Sequence, residues 1–187
     1  MSTIALDTTT PVPGTSTTQS LRTLYATRAG FAFVWAALLF TTRSPTFAGA
    51  LLVGYPAWDA ALTALDLRRG APQGRALQWT NFAFSAATAV AIGLASGVVQ
   101  TITVFAAWAI VAGLLQLGVG LSRRRQLGGQ WAMILSGGQS ALAGLSFLAM
   151  AHTPDASVQK LAPYAVFGGL YFAVSAFRLG RAARTAK

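Results

Sequence analysis

Long uncharged runs dominate the pattern of hydrophobic and polar positions along this chain. No Asp, Glu, Lys, Arg or His occurs in 79–122, 126–151 or 161–177. A membrane-spanning helix needs only about 20 apolar residues, and the cores of water-soluble helical bundles do not contain uncharged blocks of this length. The pattern therefore predicts an all-α membrane protein with six transmembrane helices. Their expected bounds are about 24–42, 46–66, 77–97, 100–121, 130–151 and 160–179.

The six predicted helices form three consecutive helical hairpin repeats, at 24–70, 76–125 and 129–181. The second helix of each hairpin carries an aromatic residue, two small or apolar residues and a second aromatic residue. These segments are 55–58, 105–108 and 164–167. A period near 50 residues is typical of one supersecondary unit used repeatedly. Because each copy crosses the membrane twice, the copies share one orientation, unlike the inverted repeats of many alternating-access transporters.

Short tails flank the transmembrane domain, which is expected to occupy 23–181. Residues 1–22 are rich in Ser, Thr and Pro and have little to bury, so they are predicted to be a disordered cytoplasmic tail. The first apolar run comes too late for a secretory signal peptide. Residues 182–187 are predicted to be a basic cytoplasmic tail.

The basic residues predict the orientation, because Lys and Arg near the ends of spans are retained on the cytoplasmic side. Two of the 14 basic residues, Arg43 and Lys160, fall on one side of the predicted membrane, and the other 12 fall on the opposite side. Both termini are therefore predicted to be cytoplasmic. The net charge of +10 marks topology here and not a nucleic-acid surface, which would need a basic patch on a soluble face.

The arginines near the cytoplasmic ends are also candidate contacts for anionic lipids, each worth about 1 kcal/mol near the surface. The candidates are Arg68, Arg69, Arg75, Arg123, Arg124 and Arg125.

The amino-acid composition limits the kinds of reactive site that the chain can contain. Hydrophobic residues make up 54% of the chain and charged residues 10%, against roughly 25% charged in ordinary soluble domains. Cysteine and glutamate are absent, which excludes disulfides and thiolate sites. The sequence has no catalytic triad pattern, no paired carboxylates, no metal-ligand cluster and no phosphate-binding loop. We therefore predict no enzymatic activity and no cofactor.

Asp59 is the one acid well inside a predicted span, and an intramembrane carboxylate usually has a partner or a function. In one interpretation it is a proton or cation site. In the other it is a packing residue that hydrogen-bonds to neighbours such as Thr63, Asn81 or Gln78. Arg28 lies toward the same end of the first hairpin, and it either pairs with Asp59 or extends to the membrane interface.

Several other residues have a structural interpretation, and two of them, Pro56 and His152, also have a more specific functional one. Pro56 either kinks its helix, as neighbouring groups satisfy the freed carbonyl, or acts as a hinge. Trp79 and Trp131 are expected at the membrane interface, and Trp58 and Trp108 in the core. His152, in an outer turn, either senses external pH or is simply exposed.

Several residues in order resemble the HdeD-like family of short-repeat membrane proteins. The first hairpin contributes Arg28-Ala29-Gly30, Ser44-Pro45 and Asp59, and the last contributes Trp131, Ser136-Gly137, Gly144, Pro154 and the segment 176–179. The resemblance covers roughly 24–181. The resemblance implies a six-helix bacterial inner-membrane protein. For the member after which the family is named, it also implies a link to acid stress.

Two functional hypotheses follow. The first is a non-enzymatic, stress-associated membrane protein that acts through contacts with anionic lipids, with a second copy of itself or with another membrane protein. The second is a small channel or proton-linked transporter in which Asp59 is the intramembrane site, with Arg28 and Asn81 beside it.

Overall fold

The computed structural model describes residues 13–68, 74–125 and 130–185, with side chains described from residue 19 to residue 181. Within these ranges every regular element is helical, which confirms the all-α prediction. The elements are α1 (Pro13–Thr41), α2 (Pro45–Arg68), α3 (Arg75–Leu94), α4 (Gly97–Arg123), α5 (Trp131–Ala151), a 3₁₀ turn (Val158–Leu161) and α6 (Ala162–Thr185).

The bounds agree with the predicted helices to within a few residues, except at the two ends of the chain. α1 begins at Pro13, whereas a disordered tail was expected as far as residue 22. Proline is favoured at the first position of a helix, because its missing N–H would have no partner there. α6 likewise extends to Thr185, into the predicted basic tail. Residues 1–12 and 186–187 lie outside the described ranges.

Local signals in the sequence explain the short connections. At the start of α2, the Ser44 hydroxyl accepts a hydrogen bond from the N–H of Phe47 at 3.2 Å, and Pro45 takes the first helical position. α4 begins at Gly97, whose φ of 83° is a backbone conformation that glycine adopts without steric cost.

The helices run up and down, so the connections α1–α2, α3–α4 and α5–α6 all lie at one end of the molecule. We call this the outer end, and the opposite end the inner end. The closest helix packing joins α4 to α5, α1 to α6 and α2 to α3, whereas α1 and α2 share few backbone contacts. Neighbouring helices thus pack most closely across the limits of the predicted hairpins.

Small residues allow the close approach of α4 and α5. A Cβ atom on Gly113 would lie 2.7 Å from the carbonyl oxygen of Gly137, and one on Gly144 would lie 2.7 Å from that of Ala106. Both distances are shorter than van der Waals contact. Each of these glycines follows another small residue at four-residue spacing, Ala109 before Gly113 and Ser140 before Gly144, a pattern that permits close helix contact.

Polarity is distributed in the opposite sense to that of a water-soluble protein. Large apolar side chains are widely exposed: Leu94 is 77% exposed, Phe40 69%, Leu142 68% and Phe177 64%. Polar side chains are buried instead, among them Gln78, Ser85, Ser140 and Ser175. An exposed apolar surface of this extent marks contact with lipid.

Four helical segments of the described chain are long and apolar enough to cross a membrane by length and composition: Gln19–Thr41, Gly97–Arg123, Trp131–Ala151 and Val158–Arg181. Together with the exposed apolar surface, they describe a multi-pass membrane protein. α2 and α3 are not among the four. They carry polar side chains that lie at the interface between α2 and α3.

Candidate functional site

The interface between α2 and α3 is polar. On α3, the buried side chains are Gln78, Asn81, Ser85, Thr88 and Ile92. Their spacing of three and four residues places them on one face of a helix. The opposite face presents Trp79, Val90 and Leu94 outward. α3 is therefore an amphipathic helix with its polar face turned inward.

Asp59 lies at the centre of this interface and accepts hydrogen bonds from three side chains. Asn81 Nδ2 donates to Oδ2 at 2.7 Å and Ser85 Oγ donates to the same atom at 3.0 Å. Arg28 Nη1 lies 3.3 Å from Oδ1 and forms an ion pair. The side chains of Arg28 and Asp59 are 15% and 13% exposed. The ion pair that the sequence left open is thus present, and Asp59 has both a charged partner and neutral ones.

Two of these donors are themselves held in place. Asn81 Nδ2 also lies 3.1 Å from Thr63 Oγ1, and Trp108 Nε1 donates to Ser85 Oγ at 2.9 Å. Residues from α1, α2, α3 and α4 therefore meet in one network around Asp59.

A second ion pair lies two helical turns further along α2. Arg123 Nη1 on α4 is 2.7 Å from Asp66 Oδ2, and Gln78 Nε2 donates to the same carboxylate. Seven residues correspond to about 10.5 Å along a helix, so Asp59 and Asp66 share one face of α2 at different depths. Asp66 is the member nearer the inner end.

The position of Arg123 corrects one sequence-based prediction. Arg123 was expected to contact anionic lipids, but its side chain is only 2% exposed and is paired with Asp66. A residue on the inward face of α4 cannot reach a headgroup from inside the bundle. Four other candidates, Arg68, Arg75, Arg124 and Arg125, are exposed, and Arg69 lies outside the described ranges.

Two small cavities meet at Asp59. The first, which we call the central cavity, has a volume of about 50 Å³ and lies among aromatic side chains on the outer side of Asp59. Its lining includes Tyr55, Trp58, Trp108 and Tyr164. A cavity needs roughly 10–15 Å³ to hold one water molecule, so this one accommodates a few waters and excludes a larger solute.

The second, which we call the inner cavity, has a volume of about 30 Å³. It extends from Asp59 toward Asp66, and its lining also includes Thr63, Gln78 and Asn81. Arg28, Asp59 and Gln116 border both cavities. The Asp59 carboxylate is therefore the acidic group of the wall that the two cavities share.

A larger cleft of about 610 Å³, the outer cleft, opens at the outer end between α2, the α3–α4 turn and the α5–α6 connection. Its lining includes Arg43, Leu52, Ile92 and Gln159. Fully buried apolar side chains extend from the outer cleft toward the central cavity. Leu52 lines the cleft and is 1% exposed, Ile102 is 0% exposed, and Phe105 is 0% exposed and packs against Tyr55 and Tyr164 of the central cavity. We call these three residues the apolar layer.

Near the same end, Asp155 is a surface acid with ordinary surface chemistry. It is paired with Lys160, and its side chain is 75% exposed. Hydrogen bonds from the Lys160 ammonium and the Thr153 side chain hold the pKa of Asp155 below its usual value. Asp155 is therefore a suitable control for substitutions of Asp59.

The structure also gives the positions of the tryptophans and the histidine for which the sequence predicted a location. Trp58 stacks on Phe31 with ring centroids 4.6 Å apart, and Trp108 lies 5.2 Å from Phe105, so both are core residues as expected. Trp79 is 52% exposed, as an interfacial residue requires. His152 is exposed.

The structure brings together the three predicted intramembrane residues, Arg28, Asp59 and Asn81. The sequence reasoning missed the roles of Asp66 and Ser85, together with Arg123 as the partner of Asp66. Two signals could have found them: the seven-residue spacing of Asp59 and Asp66 on one helix face, and the regular polar spacing along α3.

Comparisons with protein families, with curated proteins and with solved structures found no match to this chain. Its function therefore has to be argued from the geometry of its own residues.

Proposed function

We propose that this chain is a six-span, non-enzymatic transport protein of the bacterial inner membrane, with both termini cytoplasmic, that moves protons or small cations by way of Asp59. The observation that carries the proposal is the position of Asp59. Asp59 is an acid near the middle of α2 that borders two cavities at once. Ionisable groups inside membrane helices are rare, almost always face the bundle interior or a water-filled cavity, and mark substrate or ion pathways.

The lengths and the polarity of α2 and α3 support the proposal of six spans. At 1.5 Å per residue, the 24 residues of α2 extend about 36 Å and the 20 residues of α3 about 30 Å, which is the thickness of the hydrocarbon layer. Their polar residues face inward, so the hydrocarbon would meet only their apolar faces. Each helix is also flanked by helices that run in the opposite direction.

The order of features along the bundle axis supports transport over a purely structural role. From the outer end, the order is the outer cleft, the apolar layer, the central cavity, Asp59, the inner cavity and the Asp66–Arg123 pair. A site that packed side chains separate from a wide cleft is compatible with a gated pathway, in which movement of the helices around the site opens it. Each of the two ion pairs joins one basic and one acidic group, which lowers the cost of holding the charges in the bundle.

A flux assay with purified protein in liposomes tests the proposal. Vesicles that contain a pH-sensitive dye and carry an imposed proton gradient are expected to lose the gradient faster with the protein than without it. Parallel vesicles with an imposed Na⁺ gradient are read with a Na⁺-sensitive dye. Asp59→Asn should reduce the flux at least about tenfold, because the amide cannot exchange a proton or balance a cation. Asp155→Asn makes the same chemical change at the surface and should leave the flux unchanged.

The outcome against the proposal is equally definite. If neither protons nor Na⁺ cross faster than in empty vesicles, transport is excluded. Equal flux in the wild type and in Asp59→Asn would exclude Asp59 as the site.

The second candidate function is a stress-associated protein that acts through lipid or protein contacts. One observation favours it: Arg68, Arg75, Arg124 and Arg125 are all exposed near the inner end, where anionic headgroups would lie. The resemblance to HdeD-like proteins points in the same direction. Retention of anionic lipid that weakens with salt, together with no flux, is the result that this alternative requires.

A further inference from the structure

Two buried amide oxygens border the inner cavity without a hydrogen-bond donor among the described residues. They are Oε1 of Gln78 and Oδ1 of Asn81, on side chains that are 4% and 9% exposed. The amide nitrogens of the same two residues donate to Asp66 and Asp59. These bonds fix which atom of each amide is the nitrogen, and they leave the oxygens as acceptors that need a positively charged or donating partner.

Further oxygen donors lie in the same lining, beside the apolar side chains of Leu24, Leu115, Val119 and Met133. Thr63 contributes a hydroxyl oxygen and Asp59 and Asp66 contribute carboxylates. Oxygen atoms of this kind suit hard cations, whereas sulfur and imidazole ligands suit transition metals. Among the described residues, no three His, Cys, Asp or Glu side chains are grouped so that they could hold a metal ion. These residues therefore do not form a multidentate transition-metal site of that kind.

Size limits the ligand further. A cavity of about 30 Å³ holds one or two waters or a small ion with part of its hydration shell, and no organic cation fits. Carbonyl and carboxylate oxygens are ligands that hard cations prefer, and a small monovalent ion is the member of that class that this volume can hold.

We propose that the inner cavity is a binding site for a monovalent metal cation of the size of Na⁺, coordinated by the amide oxygens of Gln78 and Asn81 together with the Asp59 carboxylate. The inference rests on the proposed transport function and specifies its coupling ion. It also assigns a role to Arg28, which competes with the ion for Asp59.

The competition follows from the charges. The two ion pairs are already neutral, so an added cation is favourable only if one arginine gives way. Arg28 is the more weakly held of the two arginines, because its Nη1 lies 3.3 Å from Asp59, longer than the 2.7–2.9 Å of a strong charge-assisted hydrogen bond. Arg123 meets Asp66 at 2.7 Å and is only 2% exposed.

Arg28 also has another group to interact with. Its guanidinium carbon lies 5.6 Å from the centre of the Phe172 ring on α6, which is within the range of a cation–π interaction. Arg28 is therefore a tethered cation that occupies the carboxylate when the metal ion is absent and releases it when the ion binds.

Thermal unfolding of the full chain in detergent, measured against NaCl concentration at constant total ionic strength with choline chloride, tests the site without requiring transport. The wild type is expected to show a saturable rise in Tm with Na⁺, because a ligand that binds only the folded state stabilises it. Asn81→Leu and Gln78→Leu should each abolish the rise. Gln139→Leu makes the same kind of change on α5, away from the inner cavity, and should retain it.

Arg28→Gln gives the sharpest expectation. Removal of the competing charge should lower the Na⁺ concentration at the midpoint of the rise by about tenfold or more, since opposite charges in contact near a protein surface interact by several times the thermal energy. This gain of affinity cannot come from a variant that merely fails to fold.

Three results would overturn the inference. The first is a Tm that does not change when Na⁺ replaces choline, in both the wild type and Arg28→Gln. The second is a Na⁺ response that survives in both Asn81→Leu and Gln78→Leu, and the third is an unshifted midpoint in Arg28→Gln.

The binding assay and the flux assay test different claims, so either claim can be refuted without the other. Proton flux without specific Na⁺ binding would refute the cation site and leave the transport function standing. Saturable Na⁺ binding without any flux would support the site and refute transport.

Discussion

At the residue scale, the network around Asp59 shows how a carboxylate is accommodated inside a bundle that faces lipid. Asp59 receives one charged partner, Arg28, and two neutral donors, Asn81 and Ser85. Neutral donors stabilise the carboxylate without adding charge, so Arg28 is left as the one group in the network that neutralises it. The coupling between Arg28 and Asp59 is therefore the quantity to measure.

A double-mutant cycle measures this coupling. We expect Arg28→Ala and Asp59→Ala each to destabilise the protein, and the double variant to lose less than the sum of the two, with a coupling energy of about 1–3 kcal/mol. The readout is the free energy of unfolding in mixed detergent micelles. Additive losses would mean that the two side chains do not interact in the folded protein.

The Asp66–Arg123 pair gives a second prediction at this scale. Arg123→Met should cost about 3–5 kcal/mol of stability, because it leaves the partly buried Asp66 without its charged partner. Arg124→Met changes the adjacent arginine, which is exposed, and should change stability by no more than about 0.5 kcal/mol. Equal effects at the two positions would contradict the buried pair.

At the scale of elements, packing and polarity divide the bundle into two kinds of helix contact. α4 and α5 meet through small residues such as Gly113, Gly137 and Gly144, and their contact depends on close backbone approach. α2 and α3 meet through polar side chains. The Leu51 carbonyl on α2 also accepts a hydrogen bond from Trp35 Nε1 on α1, at 2.6 Å. This carbonyl lies close to Pro56, which has no backbone N–H and so removes one donor from the helix.

Two glycines on α5 test the close contact. Gly144→Ala should destabilise the protein by about 1–3 kcal/mol, because the added Cβ would lie 2.7 Å from the Ala106 carbonyl oxygen and overpacking has a cost of this size. Gly138→Ala should be neutral or stabilising by up to about 1 kcal/mol, since no atom lies within 4 Å of its added Cβ. Differential scanning fluorimetry in detergent ranks the variants, and a reversed ranking would contradict this packing.

At the scale of the whole molecule, the bundle is asymmetric along its axis. The outer end has a cleft of about 610 Å³, whereas the Asp66–Arg123 pair and four exposed arginines, Arg68, Arg75, Arg124 and Arg125, lie toward the inner end. Such an asymmetry matters for a transport protein because it determines from which side the site is reached. The orientation in the membrane is therefore a functional prediction as well as a topological one.

Single cysteines test the orientation, since the natural chain contains no cysteine. An impermeant maleimide added to intact cells should label His152→Cys, at the outer end, and should label Arg124→Cys, at the inner end, only after the membrane is permeabilised. Both native side chains are exposed, so access depends on the side of the membrane. Labelling of Arg124→Cys alone in intact cells would reverse the predicted topology.

The sequence by itself determined the helical class and the approximate helix bounds, and it identified Asp59 as a candidate site. These depend on local properties: uncharged runs long enough to span a bilayer, proline and glycine at turns, and the cost of one acid in an apolar segment. Small residues four apart, Ala109 with Gly113 on α4 and Ser140 with Gly144 on α5, likewise favour close contact, because residues at this spacing lie on the same helix face.

Only the tertiary structure decided which residues meet. Arg28, Asp59, Asn81 and Ser85 come from three helices, and their contact depends on the rotation and neighbours of each helix. Arg123 shows the limit most clearly: its position next to other arginines predicts a lipid contact, but the rotation of α4 turns it inward to Asp66. Hydropathy measures how apolar a segment is, whereas the packing of the bundle determines which side each residue faces.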